Sequence, residues 1–387
     1  MSRIAVIFTI ATSIIVGVHV YIWFRLVRET ALPPPWRAIA TLALILLGAS
    51  IPTMFLLRGN PVARDVLKWP GYAWMGFMFI LFFALLASDV ARLVAWIGGR
   101  LGGAPPADPA RRLWLSRMIG GSVAALAGGA GAAAMVSALG RVKVKEVEIP
   151  LRRLPASMDG FTVAQITDCH VGSMLGRAFL AEVVESINAM KPDLVAITGD
   201  LVDGGVDELA AAVAPLADLR AKHGVYFVTG NHEYYSGVEA WMAHLPSLGI
   251  RVLRNERVTI GEGEVSFDLA GIDDWNARGM APGHGPDLRG ALAGRDPRRE
   301  LVLLAHQPRA VIEAAALGVG LQLSGHTHGG QIWPWTYFVY LQQPFVAGLG
   351  RERDTHIYVS RGTGFWGPPM RLLAPAEITK VVLRSVV

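Results

Sequence analysis

Four runs that lack aspartate, glutamate, lysine and arginine lie within the first 140 residues, and they constrain the fold more than any other feature. Each run holds about 20 residues, and a helix of that length covers the ~30 Å hydrocarbon core of a bilayer. Aromatic residues that favour the headgroup zone, such as Trp36 and Trp114, stand near the ends of the runs. We therefore expect a transmembrane region at 1–140 with four helices, at about 4–27, 37–57, 69–97 and 113–140.

The distribution of charge divides the chain into two parts. Residues 1–140 carry 12 lysines and arginines against 4 acidic residues, whereas residues 141–387 carry 24 against 27. Because the basic excess belongs to the apolar part, the net charge of +5 does not indicate nucleic acid binding. The single cysteine, Cys169, excludes an intrachain disulfide and a cysteine-rich metal site. We expect 141–387 to form a second domain, large enough to bury its own core.

The fourth run follows a pattern that bears on topology. Arg111, Arg112 and Leu115 precede a glycine- and alanine-rich segment, and this arrangement resembles a twin-arginine export signal. No convincing cleavage site follows, so we expect the segment to remain as a helix. The side of the membrane that holds the first and third loops carries eight arginines, against four basic residues on the other side before residue 140: Arg3, Arg58, Arg64 and Lys68.

The count becomes eight against nine when five basic residues at the start of the second domain are included: Arg141, Lys143, Lys145, Arg152 and Arg153. Charges on a long translocated domain count for little, so the bias of eight against four, together with the twin-arginine resemblance, favours the first and third loops inside. We expect a multi-pass protein of a bacterial inner membrane with its second domain outside the cytoplasm. The cytoplasmic side is the alternative.

The second domain alternates short β-rich runs with helical stretches, which predicts mixed sheets flanked by helices. Five of the predicted strands end just before residues that bind metals well. An extended backbone would point Asp168 and His170 the same way, and likewise His326 and His328. The set has nitrogen and oxygen ligands without sulfur, which suits two divalent ions of manganese, iron or zinc. Its seven members are Asp168, His170, Asp200, Asn231, His306, His326 and His328.

The order of these motifs resembles that of the calcineurin-like metallophosphoesterase superfamily. The blocks are Asp168-x-His170, Gly199-Asp200, Gly230-Asn231-His232-Glu233, His306 and Gly325-His326-Thr327-His328. Segments 329–334 and 362–371 further resemble the bacterial branch in which this domain follows a membrane segment or a twin-arginine signal. The resemblance covers about 150–387 and implies an α/β (α+β) sandwich of two sheets flanked by helices, with a two-metal site.

The resemblance also implies roles for individual residues. Asp168, His170 and His328 would hold the first metal, Asn231, His306 and His326 the second, and Asp200 would bridge both. His232 would protonate the leaving oxygen, and Asp203 would orient His232. Protein Ser/Thr phosphatases of this superfamily carry an arginine where Gly204 stands, which argues against a phosphoprotein phosphatase. We expect Cys169 to be a buried packing thiol.

These features lead to a functional hypothesis with two alternatives. The main hypothesis is a membrane-anchored, metal-dependent phosphodiesterase or pyrophosphatase that acts on a lipid-linked or cell-envelope phosphoester. Manganese is the expected metal. Hydrolysis of UDP-2,3-diacylglucosamine for lipid A, at the cytoplasmic face, is one alternative. A non-enzymatic membrane scaffold or receptor is another, although degenerate sites usually lose ligands and this set is complete. The expected partners are the bilayer and a phosphoester, without nucleic acid; protein partners stay open.

Overall fold

The computed structural model describes residues 3–57, 60–103 and 108–386. Arg58, one of the charges used above for topology, lies outside the described residues. The chain divides into two compact units. Met1–Val136 and Gly367–Leu372 form the first unit, and Ser137–Trp366 with Leu373–Val387 form the second. The first unit thus includes a short segment that the sequence-based division assigns to 141–387.

Long apolar helices make up most of the first unit. Within the described residues, four of them are long and apolar enough to cross a membrane. The fourth has a mean hydropathy of 1.6 against 2.1 for the other three, because glycine and alanine replace larger residues there. The helices are α1 (Arg3–Trp23), α2 (Pro34–Leu56), α3 (Pro61–Leu101) and α4 (Pro109–Leu139), and a π-helical turn, Phe24–Arg28, extends α1.

Glycines allow close packing between these helices. The Cα of Gly131 in α4 lies so near the ring of Phe77 in α3 that a Cβ there would overlap the ring. Gly129, two residues earlier, has open space where a Cβ would stand. Small residues at contact positions let helix backbones approach, which is a main source of helix association in lipid.

A cluster of ionisable side chains joins α1 to α3. Arg25 forms ion pairs with Glu29 and Asp89. The Tyr21 hydroxyl donates a hydrogen bond to Asp89 at 2.7 Å. The guanidinium of Arg92 lies 3.6 Å from Glu29 and 3.8 Å from Asp89. Two arginines and two carboxylates balance in charge, so the cluster avoids the large cost of an uncompensated charge near lipid.

Two mixed six-stranded sheets form the centre of the second unit. In one sheet β2, β3, β4 and β5 are parallel neighbours, and in the other β7, β8, β9 and β11 are. The first sheet has the order β1-β12-β2-β3-β4-β5 and the second the order β10-β11-β9-β8-β7-β6. The strands are β1 (Lys143–Leu151), β2 (Thr162–Ile166), β3 (Leu194–Thr198), β4 (Val225–Val228), β5 (Ile250–Val252), β6 (Glu256–Glu262), β7 (Val265–Gly271), β8 (Leu301–Leu304), β9 (Leu321–Ser324), β10 (Gly348–Glu352), β11 (Thr355–Val359) and β12 (Glu377–Ser385).

Three apolar layers hold the sheets together. Side chains of both sheets, including Val163, Phe267 and Leu323, form the core between them. Other clusters lie between each sheet and its flanking helices. This arrangement confirms the predicted two-sheet sandwich preceded by four apolar helices. The helices of this unit are α5 (Arg177–Met190), α6 (Val206–Val213), α7 (Asn231–Tyr235), α8 (Val238–His244), α9 (Leu288–Ala291), α10 (Val311–Ala316) and α11 (Trp335–Val339).

The contact between α3 and α4 predicts that valine substitutions at Gly131 and Gly129 have different effects on stability. Gly131→Val should destabilise the first unit by about 1–3 kcal/mol, because the added carbons must displace the Phe77 ring. Gly129→Val should leave stability nearly unchanged. Thermal unfolding of the full chain in detergent, followed by helical circular dichroism, measures both. Equal midpoints for the two variants would contradict this packing.

Candidate metal centre

The two sheets bring all the predicted site residues to one place. Asp168 and His170 follow β2, Asp200 follows β3, and Asn231 begins α7 after β4. From the other sheet, His306 follows β8, whereas His326 and His328 follow β9. Carboxyl ends of parallel strands share one edge of a sheet, which is where α/β proteins usually place their ligands.

The backbone of the candidate ligands is not extended. Asp168 and His170 have φ angles of 52° and 47°, so the extended geometry expected for this pair is wrong. Asp200, His326 and His328 also have left-handed backbone, with φ of 52°, 72° and 51°. Such conformations are unfavourable for residues with a Cβ and cluster at functional sites. The chain turns sharply after each strand, and these turns bring the ligand atoms together.

The ligand atoms form three overlapping groups, each with its atoms within 4.8 Å of one another. Asp168, His170 and His328 make one outer group, and Asp200, His306 and His326 make the other. A third group, His170, Asp200 and His232, shares a residue with each of them. Asp200 Oδ2 lies 3.1 Å from His306 Nε2 and 4.0 Å from His170 Nε2. It therefore stands between the two outer groups, as a bridging carboxylate would.

Hydrogen bonds set the tautomers of three histidines. His306 Nδ1 donates to the Thr198 carbonyl at 2.7 Å. Asp203 Oδ1 accepts from Nδ1 of His170 at 3.0 Å and from Nδ1 of His232 at 2.6 Å. In a neutral imidazole, donation through Nδ1 leaves Nε2 with a lone pair, and this is the form in which the candidate ligands His170 and His306 would bind a metal. The sequence paired Asp203 with His232 alone, and its second contact, with His170, depends on the tertiary structure.

Two observations indicate that a cation fits this cluster. Asn231 Oδ1 is buried and has no hydrogen-bond partner among the described residues, as expected for an amide oxygen that would bind a metal ion. Burial favours neutral His306, yet the nearby Asp200 carboxylate raises the pKa of His306 well above its usual value. Buried carboxylates thus stabilise positive charge here. The donor set of nitrogen and oxygen atoms suits divalent manganese, iron or zinc.

Electrostatics give His232 and His326 different protonation states. Burial favours neutral His232, but the hydrogen bond to Asp203 and the charge of Asp200 outweigh it and raise the pKa of His232 to about 9. Burial and the neighbouring His306 lower the pKa of His326 to about 3. His232 therefore carries a proton at neutral pH and is able to act as an acid, whereas His326 is neutral and able to bind a metal.

Glu233 supports the site in a way that the sequence analysis missed. Its buried carboxylate accepts hydrogen bonds from the backbone nitrogens of Gly230 at 2.6 Å, Leu201 at 2.7 Å and Asp200 at 3.0 Å. These bonds tie the turn after β3 to the start of α7. Burial and the Asp200 charge raise the pKa of Glu233 to about 7. A glutamate three residues after Gly230 has the spacing of a helix-capping box, and this was the available signal.

Cys169 takes no part in the cluster. It is buried in the apolar layer that contains Ile166, Val171 and Leu180. Burial and the neighbouring Asp168 charge raise the pKa of the thiol, which keeps it protonated. Its position agrees with the expected packing role.

Comparisons with known proteins add independent evidence. Residues 161–330 match the family model described as calcineurin-like phosphoesterase. The chain is 36% identical over 384 residues to a transmembrane protein with metallophosphoesterase domain of Danio rerio, covering 94% of this chain and 86% of that protein. The identity to the Bos taurus protein of the same name is 37% over 390 residues, with 95% and 86% covered. An uncharacterized metallophosphoesterase of Campylobacter jejuni is 31% identical over 389 residues, with 99% of each chain covered.

Because Asp203 contacts both His170 and His232, its removal should reduce both metal affinity and turnover. Asp203→Ala should weaken metal binding by about 10- to 100-fold, because His170 loses the bond that orients it. It should also lower phosphoester turnover by ~10²-fold or more, because His232 loses its partner. His232→Ala is the matched control and should lower turnover while metal content stays at the wild-type level. Metal analysis and initial rates measure both effects, and unchanged metal affinity in Asp203→Ala would refute the role assigned to the His170 contact.

Proposed function

We propose that this chain, which belongs to the calcineurin-like metallophosphoesterase family, is a membrane-anchored phosphodiesterase or pyrophosphatase. Its substrate would be a lipid-linked or cell-envelope phosphoester. Membership of this family implies a phosphoester hydrolase that depends on two metal ions. Relatives named as transmembrane proteins and the four apolar helices indicate a membrane protein. The observation that carries the proposal is Asp200 standing between two groups of ligand atoms in a chain with these helices.

The proposed ligand sets follow the two outer groups. Asp168, His170 and His328 would hold one ion, Asn231, His306 and His326 would hold the other, and Asp200 would contact both. Manganese is the proposed metal, with iron or zinc as alternatives. When bound, two such cations supply Lewis acidity for water attack and for the charge that develops on phosphate oxygens.

The proposed acid is His232. Its Nδ1 is engaged by Asp203, so Nε2 is the nitrogen that donates a proton to the leaving oxygen. The raised pKa of His232, about 9, keeps this proton in place at neutral pH. The Asp203 carboxylate stabilises the imidazolium form of His232. Burial alone would raise the pKa of Asp203, but the neighbouring His170 and His232 outweigh burial and hold this pKa well below its usual range. A poor leaving group, such as an alcohol, gains most from such protonation.

The proposal also places the catalytic domain outside the cytoplasm of a bacterial cell. The Arg111-Arg112-x-x-Leu115 pattern and the excess of arginines flanking the first and third loops support this orientation. An envelope substrate follows from it. A cytoplasmic domain would instead favour the nucleotide-linked lipid substrate of the alternative hypothesis.

The first test removes the bridging charge. Asp200→Asn should abolish manganese-dependent hydrolysis of bis(4-nitrophenyl) phosphate and reduce bound metal to one ion or none, because both groups lose their shared carboxylate. Asp218→Asn, at an exposed aspartate, is the matched control and should keep both properties. Plasma emission spectrometry and initial rates provide the measurements. Wild-type turnover and two bound ions in Asp200→Asn would refute the proposed site.

The second test concerns orientation. Single cysteines at Asn60 and Glu264, on a Cys169→Ala background, should both react with a membrane-impermeant thiol reagent in intact cells. A cysteine at Pro34 should react only after lysis. All three positions are exposed, so access to the reagent depends on the side of the membrane. The reverse pattern would place the catalytic domain in the cytoplasm and would make the nucleotide-lipid substrate the leading candidate.

A further inference from the structure

Two exposed aromatic rings contact the imidazole of His232. The ring centroid of Trp366 lies 5.7 Å from that of His232, and the ring of Tyr235 lies 5.3 Å from it. Both contacts are edge-to-face, with interplanar angles of 76° and 79°. Trp366 is 56% exposed and Tyr235 is 67% exposed. Most of each ring is therefore accessible to a molecule that approaches His232.

The segments that carry the two rings are tied to the candidate ligands. Gln331, three residues after His328, donates from Nε2 to the Trp366 carbonyl at 2.9 Å and accepts from the Trp366 amide at 3.0 Å. The Gly364 amide donates to the Asp168 carbonyl at 2.9 Å. Tyr235 is the last residue of α7, which begins at Asn231. The backbone that positions the metal site thus also positions both rings.

The chemistry of proton donation places the leaving group beside these rings. A general acid lies within about 3 Å of the oxygen that it protonates. The first carbon atoms bonded to that oxygen then lie within reach of rings whose centroids are 5.3 Å and 5.7 Å from the imidazole. Exposed aromatic faces gain free energy when apolar groups cover them.

We propose that Tyr235 and Trp366 form a leaving-group subsite that selects phosphoesters with an alkyl or alkylaryl leaving alcohol. The inference rests on the proposed function and specifies which half of the substrate carries the apolar portion. Water forms the new bond to phosphorus, and the bond from phosphorus to the leaving oxygen breaks with its electron pair on oxygen. That oxygen takes the His232 proton, and the proton lost by water later restores the imidazolium.

The test uses a substrate series in which only apolar size changes. Methyl 4-alkylphenyl phosphates with methyl, butyl and hexyl chains have phenol leaving groups of nearly equal pKa. For the manganese-loaded full chain in detergent, kcat/KM should rise roughly two- to fourfold per added methylene. The rise should nearly vanish in Trp366→Ala and in Tyr235→Ala, and Trp366→Phe should restore most of it.

Trp335→Ala is the matched control. Trp335 is a half-exposed aromatic residue that begins α11, and its ring stacks on that of Phe338 with 5.1 Å between the ring centroids. In this variant, kcat/KM should rise with the length of the substrate's alkyl group as in the wild type. If Trp366→Ala and Tyr235→Ala show this rise too, the subsite is overturned while the proposed function stands.

Binding measurements separate the subsite from the reaction. Titration calorimetry gives the Kd of 4-alkylbenzylphosphonates, which are not hydrolysed, for the same proteins. Affinity that rises with chain length in the wild type and not in Trp366→Ala supports the subsite even if no ester is hydrolysed, in which case the proposed function alone fails. Affinity independent of chain length, or equal in both proteins, overturns the subsite. Circular dichroism and metal content confirm that the variants compared are folded.

Discussion

The candidate metal centre depends on backbone that turns sharply as soon as each strand ends. Five of the seven candidate ligands adopt left-handed φ angles, which cost about 1–2 kcal/mol each for residues with a Cβ. Hydrogen bonds at these turns offset this cost. The Thr167 hydroxyl bonds to the Thr198 carbonyl at 2.9 Å and to Asp168 at 2.8 Å, and Glu233 holds three backbone nitrogens of neighbouring turns. The rigid core between the sheets keeps these turns in register.

Asp203 connects a candidate metal ligand with the proposed acid. One of its oxygens accepts from both His170, a candidate ligand, and His232, the proposed acid. The same carboxylate therefore sets the tautomer of a ligand and stabilises the protonated form of the acid. Asp200 makes a similar link between the two groups of ligand atoms. The site is therefore a connected network, in which loss of one carboxylate affects several functions.

The helical unit satisfies a different physical demand. Its apolar surfaces suit lipid, so close contact between helices depends on small residues such as Gly131. Four of its ionisable side chains, Arg25, Glu29, Asp89 and Arg92, form a cluster that is balanced in charge. In this cluster Arg92 lies 3.8 Å from Asp89, one helical turn away. Pairing of this kind lowers the cost of ionisable side chains near lipid.

Features that depend on local composition could be predicted from the amino-acid sequence. Uncharged runs of about 20 residues specify apolar helices, and strand-like runs followed by Asp168, Asp200 or His306 specify where metal-binding side chains occur. Tertiary structure decided how these pieces meet. Packing sets the backbone angles of the left-handed turns. The other features join residues far apart in the chain: the contact of Asp203 with His170, the bonds of Glu233 to the turn after β3, and the ring of Trp366 against His232. The association of Gly367–Leu372 with the helical unit is of the same kind. Local sequence patterns do not predict these long-range contacts, because the residues meet only when the sheets and helices pack together.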